Sequence, residues 1–301
     1  MILARKSQMK YYRIPLYVRT DKGEYVLYKP EGMLLADMRV DSGKFPSALF
    51  LREEDKLQGI RELQQAFNQE LRQNIKSQDI AKTKTILVDL VRETLTEPRS
   101  GSLEGLVDTV DILTVECAQD PAVLKTLANV YFKDYTTAIH SVNVMALTLA
   151  FSLYSQQSLE SSKIMGLAAL LHDVGKTGID QKIIRANRRL TDEEFAEMKR
   201  HPTIGYKILK ECDFANEAIL DGAREHHEKL DGSGYPRGIS RVSVAGQTIG
   251  LVDCYEAVTN DDRPYRSAMD PLEALKLVKR EVEAGKFDSR LFERFAHSLA
   301  K

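Results

Sequence analysis

The chain has 301 residues, 43% of them hydrophobic and 29% charged, with a formal net charge of -1. This composition is typical of a globular protein with room for one large domain or two ordinary ones. A near-neutral chain has no general attraction to polyanions, so binding of a nucleic acid polymer is not expected. The three cysteines lack CxxC spacing, which argues against a zinc knuckle or a disulfide framework.

The first residues and the longest apolar stretch bear on where the protein is located. Its first residues are mixed and charged, without the apolar core of a secretory signal. The longest apolar stretch, around residues 142–154, is interrupted by polar residues and is too short and too polar to cross a bilayer. We therefore expect a cytoplasmic protein without membrane insertion.

Residues 1–55 predict a small β-rich module. Tyr and Val are enriched on both sides of Asp21-Lys22-Gly23, as in a hairpin around that turn. Residues 48–51 are a candidate further strand. Because this module contains no catalytic motif, a regulatory or dimerisation role is inferred only from its position.

Residues 56–102 predict a helical connector, within a helical pattern that extends from Glu53 to about Thr96. Apolar residues recur there at spacings of three and four, as an amphipathic helix requires. They are Ile60, Leu63, Phe67 and Leu71. The pattern suits a dimerisation helix, and so a homodimer, as well as a helix packed on its own domain. The two interpretations remain open.

Residues 103–301 are dominated by helical periodicity, which makes the fold mainly α. Thr191-Asp-Glu-Glu194 is a capping box that starts a helix running toward His201. Pro202 disturbs or restarts that helix. Asp231-Gly-Ser-Gly234 is a loop signal between two helices. The expected fold is an all-helical bundle with a small β-rich N-terminal domain.

Histidines and aspartates form the most informative pattern in the chain. His172-Asp173 closes a nearly apolar helix, and Asp253 stands in another. A buried charge without a partner costs roughly several kcal/mol, and metal coordination would meet that cost. The candidate ligands are His140, His172, Asp173, His201, His226, His227 and Asp253. The sixth histidine, His297 in a polar tail, is interpreted as an ordinary side chain.

Imidazole and carboxylate without thiolate suit Fe, Mn, Co or Zn. Seven candidate ligands are too many for one ion and suit two ions that share a bridging carboxylate. Two such ions clamp the attacking and leaving oxygens of an in-line phosphoryl displacement. Competing motifs fail, because the chain has no HExxH, no nucleophile elbow and no phosphate-binding P-loop at these positions.

At these residues the chain resembles the HD-GYP family of the HD phosphohydrolase superfamily. The resemblance covers about residues 125–285. It rests on LLHDVGK (170–176), LTDEEFAEMKRHPTIG (190–205), HHEKLDGSGYP (226–236), GLVD (250–253) and RPYR (263–266). It implies an HD-type bundle, with the catalytic domain at residues 103–301.

The resemblance also implies roles for individual residues. One ion would be held by His140, His172, Asp173 and Asp253. Asp173 would bridge to a second ion, held by His201, His226 and His227. Asp173 and Lys176 would be catalytic, with Lys176 also neutralising a substrate phosphate oxygen. Arg263 and Arg266 would hold the other phosphate or a guanine edge, and Tyr235 would line the substrate groove. The loop around Tyr235 would also contact GGDEF-type or other signalling proteins.

The implied activity is hydrolysis of cyclic di-GMP to pGpG by a hydroxide that bridges two divalent ions, with Fe or Mn (iron or manganese) expected. Three departures from the family pattern bear on this. Thr136 stands where members that bind a third metal carry Glu, so we expect two ions and pGpG rather than GMP as the main product. Glu256 replaces the usual Asp, and residues 259–263 are one residue longer than usual.

Three alternatives remain open. The first keeps the enzyme and changes its substrate to cyclic GMP-AMP. The second is a sensor or partner-binding module that binds a cyclic dinucleotide with little turnover, although no candidate ligand is missing. The third is a nucleotide monophosphate as substrate, against which the Gly-Tyr-Pro segment argues.

Overall fold

The computed structural model describes residues 1–3, 11–35, 46, 48–95, 98, 101–130, 136–259 and 269–300. Within these residues the N-terminal part carries a small antiparallel sheet with the strand order β1-β4-β2-β3. The strands are β1 (Ile2–Leu3), β2 (Leu16–Arg19), β3 (Tyr25–Lys29) and β4 (Phe50–Leu51). β2 and β3 form the predicted hairpin, whose turn places Gly23 at a φ of 85°. Glycine tolerates this left-handed conformation without steric cost.

The next helical stretch is two helices, not one. α1 (Lys56–Lys76) and α2 (Ile80–Leu95) pack against each other, and the chain turns between them at Gln78, whose φ is 58°. The Asp79 carboxylate starts α2 by accepting a hydrogen bond from the Lys82 amide at 3.0 Å. Because Ser77-Gln78-Asp79 contains neither Gly nor Pro, the sequence pattern did not reveal this break.

The remaining helices form a bundle. They are α3 (Gly105–Glu116), α4 (Ala122–Asn129), α5 (Thr137–Tyr154), α6 (Leu159–Leu171), α7 (Gln181–Ile184), α8 (Asp192–Met198), α9 (His201–Glu211), α10 (Glu217–Glu225), α11 (Val244–Thr259), α12 (Pro271–Glu283) and α13 (Ser289–Ala300). A 3-10 turn at Val174–Gly178 follows α6. The predicted class, mainly α with a small N-terminal sheet, is confirmed.

α5 is the central helix of the bundle. Every residue from Ala138 to Ser152 is buried, and α5 packs against α2, α4, α6, α11 and α13. By length and composition this helix alone among the described residues passes a test for a membrane span, but 83% of that window is buried inside the protein. Burial in the bundle accounts for its apolar composition.

The N-terminal elements share the core of the bundle. Buried side chains form one continuous cluster that extends from Tyr11 and Leu16 through Phe67 to Phe295. α1 packs on α3, and α2 packs on α4 and α5. The predicted division at residues 55 and 102 remains a prediction.

Candidate metal centre

The seven candidate ligands come from five places in the fold. His140 is on α5, His172 and Asp173 follow α6, and His201 begins α9. His226 and His227 follow α10, and Asp253 is on α11. α6 packs against α5, α10 and α11, and α9 packs against α10 and against the 3-10 turn. These contacts bring all seven side chains to one place inside the bundle.

Two glycines permit this close approach. A Cβ on Gly175 would lie 1.9 Å from the His201 carbonyl oxygen, so only glycine lets the turn after Asp173 approach α9. A Cβ on Gly250 would lie 2.3 Å from the His226 carbonyl oxygen. Both contacts are with backbone atoms, which cannot swing aside as a side chain would.

The first group of ligand atoms surrounds one oxygen of Asp173. The Nε2 atoms of His140 and His172 are 3.2 Å apart. They lie 3.5 Å and 3.4 Å from Asp173 Oδ2. Asp253 Oδ1 lies 3.0 Å from His140 Nε2.

The second group faces the other oxygen of the same carboxylate. His201 and His226 place their Nε2 atoms 3.1 Å apart, at 3.3 Å and 3.8 Å from Asp173 Oδ1. The His227 ring lies 4.2 Å from the His226 ring, and its Nδ1 lies 4.0 Å from Asp253 Oδ2. Asp173 therefore presents one oxygen to each group, as a bridging carboxylate would.

Hydrogen bonds on the outer side fix how three of the imidazoles point. His172 and His201 donate from Nδ1 to the carbonyl oxygens of Ala169 and Met198, both at 2.7 Å. His226 donates from Nδ1 to the Gly222 carbonyl oxygen at 2.9 Å. Because Nδ1 carries the proton in each ring, the Nε2 lone pair is free to point into the centre.

Glu256 plays the same part for His140, and this role was not predicted from the sequence. Its Oε2 lies 2.6 Å from His140 Nδ1, and its Oε1 accepts a hydrogen bond from Asn143 Nδ2 at 2.8 Å. The carboxylate is 1% exposed. The available signal was an acidic residue in an apolar helix, three positions after Asp253, which places both on one helix face. Carboxylate–histidine–metal arrangements of this kind orient the ligand and raise its basicity.

Burial and charge shift the pKa values of these groups. Burial alone would lower the pKa of His140, but the carboxylates of Glu256 and Asp253 outweigh it and raise that pKa to about 10. Burial and the neighbouring His227 hold the pKa of His226 well below its usual range. Burial alone would raise the pKa of Asp173, but Lys176 and His172 hold it well below normal, so the carboxylate stays ionised.

The donor set fits metal ions. Asp173 Oδ1 is buried and accepts no hydrogen bond in the described part of the chain. An ionised oxygen left without a partner in the interior is costly, and a cation would remove that cost. The ligand atoms of His201, His226 and His227 lie within 4.8 Å of one another, as do those of His140, His172 and Asp173. Each group could hold an ion.

Lys176 and Tyr235 lie at the open side of this centre. His227, Lys176 and Asp253 retain 23%, 24% and 14% of their side-chain exposure. The Lys176 ammonium contacts Asp173 Oδ2. The Tyr235 ring lies 4.5 Å from the His227 ring at 31°, and burial raises the pKa of its hydroxyl. The predicted substrate contacts Arg263 and Arg266 lie outside the described residues.

Two buried acids, which were also not predicted from the sequence, hold the loop that carries Tyr235. Glu228 accepts hydrogen bonds from the amides of Arg237 and Ile239 at 2.8 Å and 3.1 Å. Glu225 accepts one from the Ser243 amide at 2.8 Å and also binds the Arg237 guanidinium. Both residues are 5% exposed or less. The position of Tyr235 is therefore set by paired acids beneath the loop.

Thr136 acts as a helix cap. Its side-chain oxygen accepts a hydrogen bond from the Ile139 amide at 3.4 Å, at the start of the helix that carries His140. Threonine is a favoured N-cap residue because its oxygen satisfies an amide that has no partner in the helix. The position that would carry a further carboxylate ligand thus has a structural role in this chain.

Comparison with known proteins relates this geometry to a family. The HD domain model matches residues 123–291, more than half of the chain. A cyclic di-GMP phosphodiesterase of Pseudomonas aeruginosa, PA4108, is 33% identical over 195 residues, which cover 64% of this chain and 46% of that protein. The 3'3'-cGAMP-specific phosphodiesterase 1 of Vibrio cholerae is 31% identical over 175 residues, covering 57% and 40%. This chain therefore spans less than half the length of these relatives.

A solved structure shares the fold. Bd1817, an HDG"Y"P protein from Bdellovibrio bacteriovorus, superposes with a TM-score of 0.67 at 17% identity, covering 100% of this chain and 99% of that one. At this identity the similarity concerns the fold alone. Together with the family match, it confirms the resemblance seen in the motifs: the chain belongs to the HD domain family.

Proposed function

We propose that this protein is a metal-dependent phosphodiesterase that hydrolyses cyclic di-GMP to pGpG, using two divalent ions, iron or manganese. The observation that carries the proposal is the Asp173 carboxylate, which directs one oxygen to each of two imidazole groups. Several relatives named as cyclic di-GMP phosphodiesterases support the substrate class.

The proposed ions would supply Lewis-acid stabilisation of the phosphoryl group and activation of water at neutral pH. The chain's own residues would set up the reaction. Asp173, held ionised by its neighbours, keeps its negative charge at physiological pH. Lys176, partly exposed at the open side, is placed to neutralise a phosphate oxygen as a point charge.

Tyr235 would form one wall of the substrate groove, because its ring packs on His227 at the open side of the centre. A cyclic dinucleotide carries two phosphodiester charges, so a second cation is required away from the ions. We assign that role to Arg263 and Arg266 on the motif alone. Arginine suits it because its planar guanidinium contacts phosphate with two hydrogen bonds.

The test is purification without oxygen, measurement of bound iron and manganese, and assay of cyclic di-GMP hydrolysis. Asp173→Asn and His172→Ala should lose metal-dependent turnover while keeping the helical circular dichroism spectrum. His297→Ala is the matched control, because this exposed histidine of α13 lies outside the centre. Full turnover by the Asp173→Asn variant, or indifference of the wild type to every divalent ion, would refute the proposal.

Cyclic GMP-AMP is the second candidate substrate, because relatives with that specificity are 31% and 37% identical to this chain. The ratio of kcat/KM for the two cyclic dinucleotides decides between them. Chromatography of the product distinguishes pGpG from GMP. Tight binding by a metal-loaded sample without any product would instead favour the sensor alternative.

The N-terminal residues 1–55 and the connector 56–102 are proposed to regulate the catalytic domain at 103–301. The supporting contact is the packing of α2 against α5, the helix that carries His140. We further propose a cytoplasmic location, and binding of GGDEF-type or other signalling proteins through the Tyr235 loop. Light scattering of the full chain measures its mass in solution and so tests for a homodimer. A pull-down of GGDEF-type proteins, with Tyr235→Ala as the control, tests whether the Tyr235 loop binds them.

A further inference from the structure

An exposed aromatic ring lies beside the open side of the metal centre. Phe195 on α8 is 44% exposed, whereas Phe151 and Phe295 in the bundle are at most 2% exposed. Burial of an aromatic ring stabilises a folded protein, and the exposed Phe195 ring lacks much of that stabilisation. A single exposed apolar residue needs no explanation by itself, so the surroundings of the ring decide its meaning.

Phe195 continues a row of rings that begins at the candidate ligands. Its ring lies 6.4 Å from the Tyr235 ring, at an interplanar angle of 75°. Tyr235 in turn packs on His227, which borders the open side of the centre. The three rings therefore form an aromatic surface that leads from the metal centre to solvent.

The ring of Phe195 is held in place and lies next to a positive charge. α8 begins with the capping box of Thr191 and Glu194, and Arg188 binds the Glu194 carboxylate through both of its terminal nitrogens. Lys199 Nζ lies 4.6 Å from the centre of the Phe195 ring. A fixed ring beside a cation suits a flat, electron-rich group attached to an anion.

We propose that Phe195 stacks against one base of the cyclic dinucleotide while a phosphodiester lies at the metal centre. This inference rests on the proposed function and adds a base contact to it. Nucleobases stack on aromatic side chains whatever their identity, because every base has a π-face. The contact distinguishes a cyclic dinucleotide from a simple phosphodiester, which would meet only the ions and Lys176.

The test compares Phe195→Ala, Phe195→Leu and Phe195→Tyr with the wild type on cyclic di-GMP and on bis(p-nitrophenyl) phosphate, a diester without a base. Binding is measured separately by calorimetry with a phosphorothioate analogue of cyclic di-GMP that resists hydrolysis. Loss of one base–aromatic stack should raise KM and Kd for the dinucleotide about 5- to 150-fold in the Ala and Leu variants. Phe195→Tyr should stay near wild type, since it keeps the ring.

The second substrate separates a base contact from general damage. The loss of kcat/KM should be at least about fivefold larger for cyclic di-GMP than for the baseless diester. An equal loss on both substrates would mean that Phe195 only supports the Tyr235 loop, and would overturn the inference. Wild-type binding by Phe195→Leu would also overturn it, because an aliphatic side chain cannot stack in the same way.

Three further outcomes are decisive. If Phe195→Ala lost a protein partner and kept wild-type binding of the dinucleotide, the ring would belong to a protein interface and the inference would be wrong. If the wild type turned over the baseless diester but bound no cyclic dinucleotide, the substrate assignment in the proposed function would fail, and the base contact with it. Normal dinucleotide turnover with no effect of Phe195→Leu would remove the inference alone.

Discussion

Replacing Glu256 by glutamine removes the charge that orients His140 and keeps the shape of the side chain. Glu256 accepts from His140 Nδ1 at 2.6 Å with one oxygen and from Asn143 Nδ2 at 2.8 Å with the other. Glutamine offers only one acceptor oxygen, so one of the two donors would face an NH2 group. His140 also loses the negative charge that raises the basicity of its imidazole.

The expected effect of Glu256→Gln is a 10- to 100-fold loss of affinity for the ion held by His140, which is about 1.4–2.7 kcal/mol. The ion held by the second group should bind as in the wild type, because His201 and His226 orient through backbone carbonyls. Calorimetric titration of the metal-free protein with manganese, in competition with a chelator, resolves the two affinities. Circular dichroism before each titration shows whether the variant is folded.

Glu228→Gln is the matched control for this prediction. Glu228 is as deeply buried as Glu256, and in the described residues it binds loop amides rather than an imidazole. Its replacement should leave both metal affinities within about twofold of the wild type, since it orients no ligand. Equal losses in the two variants, or an equal loss at both metal sites in Glu256→Gln, would refute the assigned role of Glu256.

Three other predictions concern Lys84, Gly234 and the effect of manganese on stability. Burial lowers the pKa of Lys84 to about 8 from 10.5, against the charge of Glu256. Between about pH 8 and 10.5 the unfolded chain therefore binds more protons than the folded chain. The free energy of unfolding of the wild type should rise over this window by up to about 3 kcal/mol relative to Lys84→Met. Urea denaturation measures this, and a difference between the two proteins that does not change with pH would contradict the prediction. Gly234→Ala would place a Cβ 2.4 Å from the Lys229 amide nitrogen and so displace the loop that carries Tyr235. KM for cyclic di-GMP should rise, and the free energy of unfolding should fall by about 1–3 kcal/mol. Ser233→Ala, the control in the same loop, should change neither quantity. Adding manganese at 100 times its Kd should stabilise the metal-free protein by about 2.7 kcal/mol per site, measured as a rise in Tm that EDTA reverses.

The family match does not cover the N-terminal part of the chain. It covers residues 123–291, so the sheet and α1 and α2 lie outside it. Yet Lys84 of α2 is fully buried and donates hydrogen bonds to the carbonyl oxygens of Ala128 and Val130 at the end of α4. α4 and α2 both pack on α5. Through this packing, the N-terminal part of the chain contacts α5, the helix that carries His140.

Local features of the fold were predictable because their causes lie within a few residues. Thr191 and Glu194 form the predicted capping box. Pro202 lies in the first turn of a new helix, where the N–H that proline lacks would have no partner within the helix. The order of the histidine and aspartate motifs along the chain was likewise enough to indicate the family. His172 and Asp173 stood out because they follow an apolar helical segment, which is visible in the neighbouring sequence.

Other features arise from contacts between distant parts of the chain, so they depend on how the helices pack. Glu256 and His140 are 116 positions apart, and no local pattern shows that the acid binds the imidazole. The break between α1 and α2 at Gln78 is likewise not marked by a Gly or Pro. It accompanies the packing of α1 on α2, which the local sequence does not show. The amino-acid sequence alone singled out seven candidate side chains, and the structure brings them together. The packing of α5, α6, α9, α10 and α11 determined how Asp173 divides its two oxygens between two groups, because that depends on atomic distances that helical periodicity does not encode.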